Sequence, residues 1–125
     1  MIDKKIEQAF TAHQEGRLDE AEQFYLSILE TEPTNIGVLN NLSVLLSNLN
    51  RFDEAKQYCE KTIELNPNFT EGHNNLGLTL IELGNTSDAE ISFKKAIDLN
   101  PKFVKAYSNL GSMFQKLDRF DEAEI

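Results

Sequence analysis

The segment Arg51-Phe52-Asp53-Glu54-Ala55 returns unchanged as Arg119-Phe120-Asp121-Glu122-Ala123, 68 residues later. Half that interval runs through the rest of the chain. Pro33, Pro67 and Pro101, the only prolines, are spaced 34 residues apart. Ala21, Ala55, Ala89 and Ala123 keep the same step, as do Leu42, Leu76 and Leu110, and Asn41, Asn75 and Asn109. Leu65-Asn66-Pro67 recurs as Leu99-Asn100-Pro101. A fixed period of this length marks stacked units that bury their apolar faces only against one another. The frame is 2–35, 36–69, 70–103 and an incomplete 104–125, read as one domain over 1–125.

Each unit reads as two helices. In 70–103, Leu76, Leu80 and Leu83 follow i, i+4, i+7 spacing up to Gly84-Asn85. A helix end favours a residue that tolerates left-handed backbone there. The equivalent turns are Gly16-Arg17, Asn50-Arg51 and Asp118-Arg119. A polar cap near Thr86 or Ser87 opens the second helix, and Asp88 in its first turn suits the helix dipole. Ala89, Phe93, Ala96 and Ile97 share its apolar face. It stops before Pro101, because the residue preceding proline resists helical geometry. Gly77 and Gly111 recur inside the first helices, where glycine costs about 1 kcal/mol against alanine. Their recurrence predicts close packing, with Phe93 approaching the backbone at Gly77.

Composition narrows the function. The 125 residues carry 12 Lys and Arg against 21 Asp and Glu, a net charge of −9. Such a surface repels nucleic acid and anionic lipid, so neither is an expected partner. The 40% hydrophobic content supports a folded core. Cys59 is the only cysteine, which excludes an intrachain disulfide and a cysteine-based metal site. No apolar run approaches the roughly 20 residues of a membrane span. The opening Met1-Ile2-Asp3-Lys4-Lys5 lacks the plan of a signal peptide, so a cytoplasmic location is expected.

The third unit, with Gly72-His73-Asn74-Asn75-Leu76-Gly77 followed by Leu80, Gly84, Ala89, Phe93, Ala96 and Pro101, resembles the tetratricopeptide repeat (TPR). The resemblance covers the whole chain. The aromatic residue of the first helix is kept as Tyr107 but replaced by His73 and Leu39. The first unit departs further, with Lys5, Gln8 and Ala9, although Gly16, Leu18, Ala21, Tyr25, Ile28 and Pro33 fit. The resemblance implies an all-α fold: a right-handed α-solenoid of antiparallel helix pairs, with three full repeats and a truncated fourth. First helices would line a concave groove that binds peptides and proteins.

On that frame the groove is rich in neutral amides. Asn41, Asn75 and Asn109 stand once per unit and are expected to hold the backbone of an extended peptide, since an amide both donates and accepts. Asn40 and Asn74 are their neighbours. Val44, Leu78 and Phe10 would add apolar contact. The arrangement resembles the asparagine ladder in the TPR region of O-linked N-acetylglucosamine transferases and related superhelices, and the segment His13-Gln14-Glu15-Gly16-Arg17-Leu18 resembles bacterial TPR-fused transferases. Glu7 interrupts it in the first unit. The alternative, that these asparagines bridge neighbouring helices, stays open. A TPR class that clamps chaperone C-termini needs groove cations, but this chain offers Asp3, Glu7, Glu71 and Glu82. Only Lys105 and Lys116 are basic.

No catalytic constellation emerges, so the chain is read as a non-enzyme without cofactor or metal. His13 and His73 read as surface or packing residues, and Cys59, in the column of Tyr25 and Phe93, as a core residue. The acidic runs Asp19-Glu20-Ala21-Glu22 and Asp121-Glu122-Ala123-Glu124 fit the start of second helices. Ile125 falls inside a second helix, which leaves Phe114, Leu117, Phe120 and Ile125 short of partners. A fragment of a longer protein is expected, with self-association through this uncapped end as a consequence. The first functional reading is a protein–protein interaction module, or scaffold, binding an extended peptide. The alternatives are the substrate-recruiting arm of a glycosyltransferase or methyltransferase, and a self-associating assembly scaffold.

Overall fold

In the computed structural model, residues 2–123 have described backbone and residues 3–117 described side-chain environments. The described residues form seven helices and no strand: α1 (Ile2–Gln14), α2 (Leu18–Thr31), α3 (Ile36–Asn48), α4 (Phe52–Leu65), α5 (Thr70–Glu82), α6 (Thr86–Leu99) and α7 (Val104–Ala123). Short turns join them into the hairpins α1–α2, α3–α4 and α5–α6. The all-α architecture of paired helices thus follows the 34-residue period. The chain divides into two compact units, Met1–Pro67 and Asn68–Ile125.

The turns form for the expected reason. Gly16, Asn50 and Gly84 adopt φ of 80°, 60° and 82°, the left-handed geometry that ends a helix. Arg17 then accepts no cap role through its side chain, but its amide reaches back to the Ala12 carbonyl, as Arg51 reaches to Leu46 and Asn85 to Leu80. The α6 cap is Asn85, one residue ahead of Thr86: its side chain accepts from the Asp88 amide and donates to the Asp88 carboxylate. Asn35 caps α3 in the same way through Val38.

The fourth turn differs from expectation. Residues 104–123 form one continuous helix through Asp118-Arg119. Asp118 lacks the ease with which Gly16 and Gly84 take positive φ. The expected role of Phe120 as an apolar end residue, and everything expected of Ile125, lies outside the described residues. Phe114 and Leu117 are exposed on α7.

In the first unit the core gathers Ala9, Ala12, Ala21, Tyr25, Ile28, Val38, Leu42, Leu45, Leu46 and Ala55. Helix α3 carries no charged residue and buries Val38, Leu39, Leu42, Leu45 and Leu46. Each large aliphatic side chain so buried contributes roughly 1.5–3 kcal/mol before chain entropy is counted. Arg51 ties the hairpins together at the surface, bonding Glu22 of α2 at 2.8 Å and Glu54 in the first turn of α4, which Arg51 precedes. In the second unit Leu80, Ala89, Phe93 and Met113 form the core, with Leu76, Ile81 and Leu110 against it. Leu83 is exposed at the C-cap of α5, so the apolar stripe of that helix ends one turn earlier than its spacing implies.

The glycine columns separate. A Cβ at Gly77 would lie 2.5–2.8 Å from three ring carbons of Phe93, so this glycine is what admits the ring. Gly111 has no heavy atom within 4 Å of its Cβ direction, so the close-packing expectation does not hold there. The same column carries Ala9 opposite Tyr25 and Ser43 opposite Cys59, all buried. Cys59 is accordingly a core residue.

Candidate functional site

In the first unit the site is built by α1 and α3. Asp3, Glu7, Phe10 and Gln14 follow 4-3-4 spacing, which keeps them on one stripe of α1, and all four are exposed. Phe10 is 47% exposed, a large aromatic surface for a residue between polar neighbours. On α3 the matching stripe is Asn41, Val44 and Asn48. Asn41 and Val44 are half-buried, and the Asn41 side chain makes no hydrogen bond among the described residues. Asn40, by contrast, is only 6% exposed and sits within the packing.

One end of this face is closed by a network that the sequence did not reveal. The His13 ring bonds the Tyr25 hydroxyl through Nδ1 at 3.2 Å and the Asn48 amide through Nε2 at 3.1 Å. The Asn48 amide donates, which makes Nε2 the acceptor and leaves Nδ1–H to donate to the tyrosine oxygen. The two rings meet edge to face with centroids 6.0 Å apart. Burial disfavours the imidazolium and lowers the His13 pKa below its ordinary value. Burial likewise pushes the Tyr25 phenol up to about 12. His13 is therefore a bridge between first helices. Its partner is one period plus one residue away, a separation that carries no local signal.

In the second unit the same spacing recurs. The Asn109 side-chain amide of α7 donates to Asn74 Oδ1 on α5 at 3.0 Å, again 35 residues apart. Asn74 is 3% exposed. Of the expected ladder, Asn109 is thus engaged in bridging helices and Asn74 is buried as its acceptor. Asn75 is half-buried and has its own interaction. Leu78 stands 41% exposed on α5 one turn beyond the asparagines. The exposed polar residues of this face are Glu71 and Glu82 on α5 and Lys105, Ser108, Ser112, Gln115 and Lys116 on α7.

Chemistry beyond docking finds little to work with. No group of three or more His, Cys, Asp or Glu is placed to hold a metal ion among the described residues. No helix there is long and apolar enough to cross a membrane. His73 is a buried packing residue. An open cleft on the α1–α2 flank is lined by Lys4, Glu7, Gln8, Thr11, Arg17 and Phe24.

Three models described as tetratricopeptide repeat match residues 12–77, 70–103 and 92–125. No curated protein matches the sequence. Among solved structures, the first TPR of Spaghetti (RPAP3) bound to the HSP90 peptide SRMEEVD superposes with a TM-score of 0.87 at 21% identity, covering 94% of this chain and 93% of that one. The first TPR domain of human RPAP3 gives 0.89 at 21% identity, with 98% and 96% covered. The Sgt2 TPR domain from Aspergillus fumigatus gives 0.89 at 18% identity, with 97% and 82% covered.

Proposed function

The chain belongs to the tetratricopeptide repeat family, and from that premise we propose that it is a docking module in which each unit, by itself, holds an extended segment of a partner protein on its first-helix face. One observation carries the reading: Phe10 and Leu78 expose large apolar surface beside side-chain amides on those faces. An apolar residue flanked by groups that donate and accept is suited to a peptide's side chain and backbone together. Asn41 and Asn75 are the amides assigned to the peptide backbone, and Val44 adds apolar contact. Each such bond contributes roughly 0.5–1.5 kcal/mol net.

The similar domain bound to SRMEEVD holds an acid-rich peptide. Here Asp3 and Glu7 line the α1 face, and α3 carries no cation to offset them. A tail of that kind is therefore disfavoured in the first unit. The test is an arrayed peptide library probed with the intact chain, followed by affinity measurements on Asn41→Ala and Asn75→Ala. Peptides held by the first unit should bind Asn41→Ala more weakly, and those held by the second unit Asn75→Ala, while helix content stays unchanged. Unaltered affinity in both would remove the asparagines from the reading.

A further inference from the structure

We propose that the partner segment held by the first unit is cationic, with a Lys or Arg seated on Glu7 and Asp3 and an apolar side chain on Phe10 and Val44. The inference rests on the docking reading above and specifies its ligand. Helix α1 sorts its charges by face. The Lys5 ammonium reaches the Ser27 hydroxyl on α2 at 3.5 Å. Lys4, Arg17 and Glu7 all line the flank cleft with Gln8, Thr11 and Phe24, so Glu7 stands where the two faces meet. Asp3 and Glu7 make no ion pair among the described residues, whereas Glu15, Glu20, Glu22, Glu54 and Glu90 all do. Helix α3 brings no charge of either sign. The face therefore presents two carboxylates without an ion pair among the described residues, next to exposed apolar surface.

The repeat register gives the geometry. Glu7 and Asn41 occupy one column of the 34-residue frame, and Phe10 and Val44 another, one turn along. A peptide crossing from α1 to α3, which the His13–Asn48 bond joins at one end, spans the gap in a few extended residues. It meets an acid row on α1 and an amide on α3, with an apolar row beside both. A cation over Glu7 followed by a backbone bond at Asn41 satisfies each group. An anionic segment would meet both carboxylates, and like-charge contact of this kind rejects wrong partners.

The experiment uses the intact chain and three fluorescein-labelled peptides: Gly-Ser-Lys-Phe-Lys-Ser-Gly, and its counterparts with both lysines replaced by Gln or by Glu. The lysine peptide should bind most tightly and weaken as salt is raised. The double variant Asp3→Asn, Glu7→Gln should lower its affinity about tenfold. The double variant Asp19→Asn, Asp53→Asn removes the same charge from the starts of α2 and α4 and should leave affinity unchanged. Equal binding of the lysine and glutamate peptides overturns the proposal, as does equal loss in the two double variants. If all three peptides bind alike but lose affinity in Asn41→Ala, the docking reading stands and the charge preference alone fails. If none binds, both fail.

Discussion

Substituting Gly77 by alanine should destabilise the second unit even though alanine is the better helix former. The propensity gain is about 1 kcal/mol in favour of the variant. Against it, the new methyl would stand 2.5, 2.7 and 2.8 Å from the Cε1, Cδ1 and Cζ carbons of Phe93. Relaxed carbon contacts lie near 3.5–4.0 Å, so the ring or the helix must move by about 1 Å. Phe93 is fully buried with Leu80, Ala89 and Met113 around it, which leaves the ring no free volume. Overpacking of this severity costs about 3 kcal/mol. The net expectation is a loss of about 2 kcal/mol. Ala9 opposite Tyr25 shows that a hairpin can be built with a methyl in this column, so the loss reflects local displacement and not a forbidden fold. Gly111→Ala is the internal control. It occupies the same column but has open space at its Cβ, so it should stabilise by up to about 1 kcal/mol. Urea unfolding followed by far-ultraviolet circular dichroism measures both. A Gly77→Ala protein as stable as the parent would refute the reasoning, and so would matching signs at the two glycines.

Two further outcomes follow from the bridges. Asn109→Ala removes the donor to buried Asn74 and should cost about 1 kcal/mol, the lower end of the range because water can reach the half-exposed site. Asn41→Ala should change stability by less than about 0.5 kcal/mol, and urea midpoints distinguish the two. For His13 the folded pKa lies below the unfolded value of 6.5. The unfolded chain therefore takes up a proton first as pH falls, and stability is lost from about pH 6.5 downward until the folded form titrates. Between about pH 7.5 and pH 5.5, above the carboxylate range, His13→Gln should flatten the thermal-midpoint profile; an unchanged slope would argue against burial at this histidine.

The period alone determined the helix pairs. Proline at a fixed step, alanine and aromatic columns, and residues tolerant of positive φ at Gly16, Asn50 and Gly84 act over a few neighbours, so their consequences are local and readable. The glycine column was readable in part: Gly77 meets Phe93, while Gly111 holds the same place with nothing near it. What the sequence left open was which side chains face one another across first helices. Asn41, Asn75 and Asn109 look equivalent in one dimension, yet Asn109 is bonded to Asn74 while Asn41 makes no side-chain bond among the described residues. The His13–Asn48 bridge lies 35 residues apart, one beyond the period, and neither residue type announces it. Hydrogen bonds need angstrom placement of two helices, and that placement comes from how buried volumes such as Leu42, Leu45 and Ile28 fill the space between them. Periodicity names the column; only packing decides whether its side chain turns inward to a neighbour or outward to a ligand.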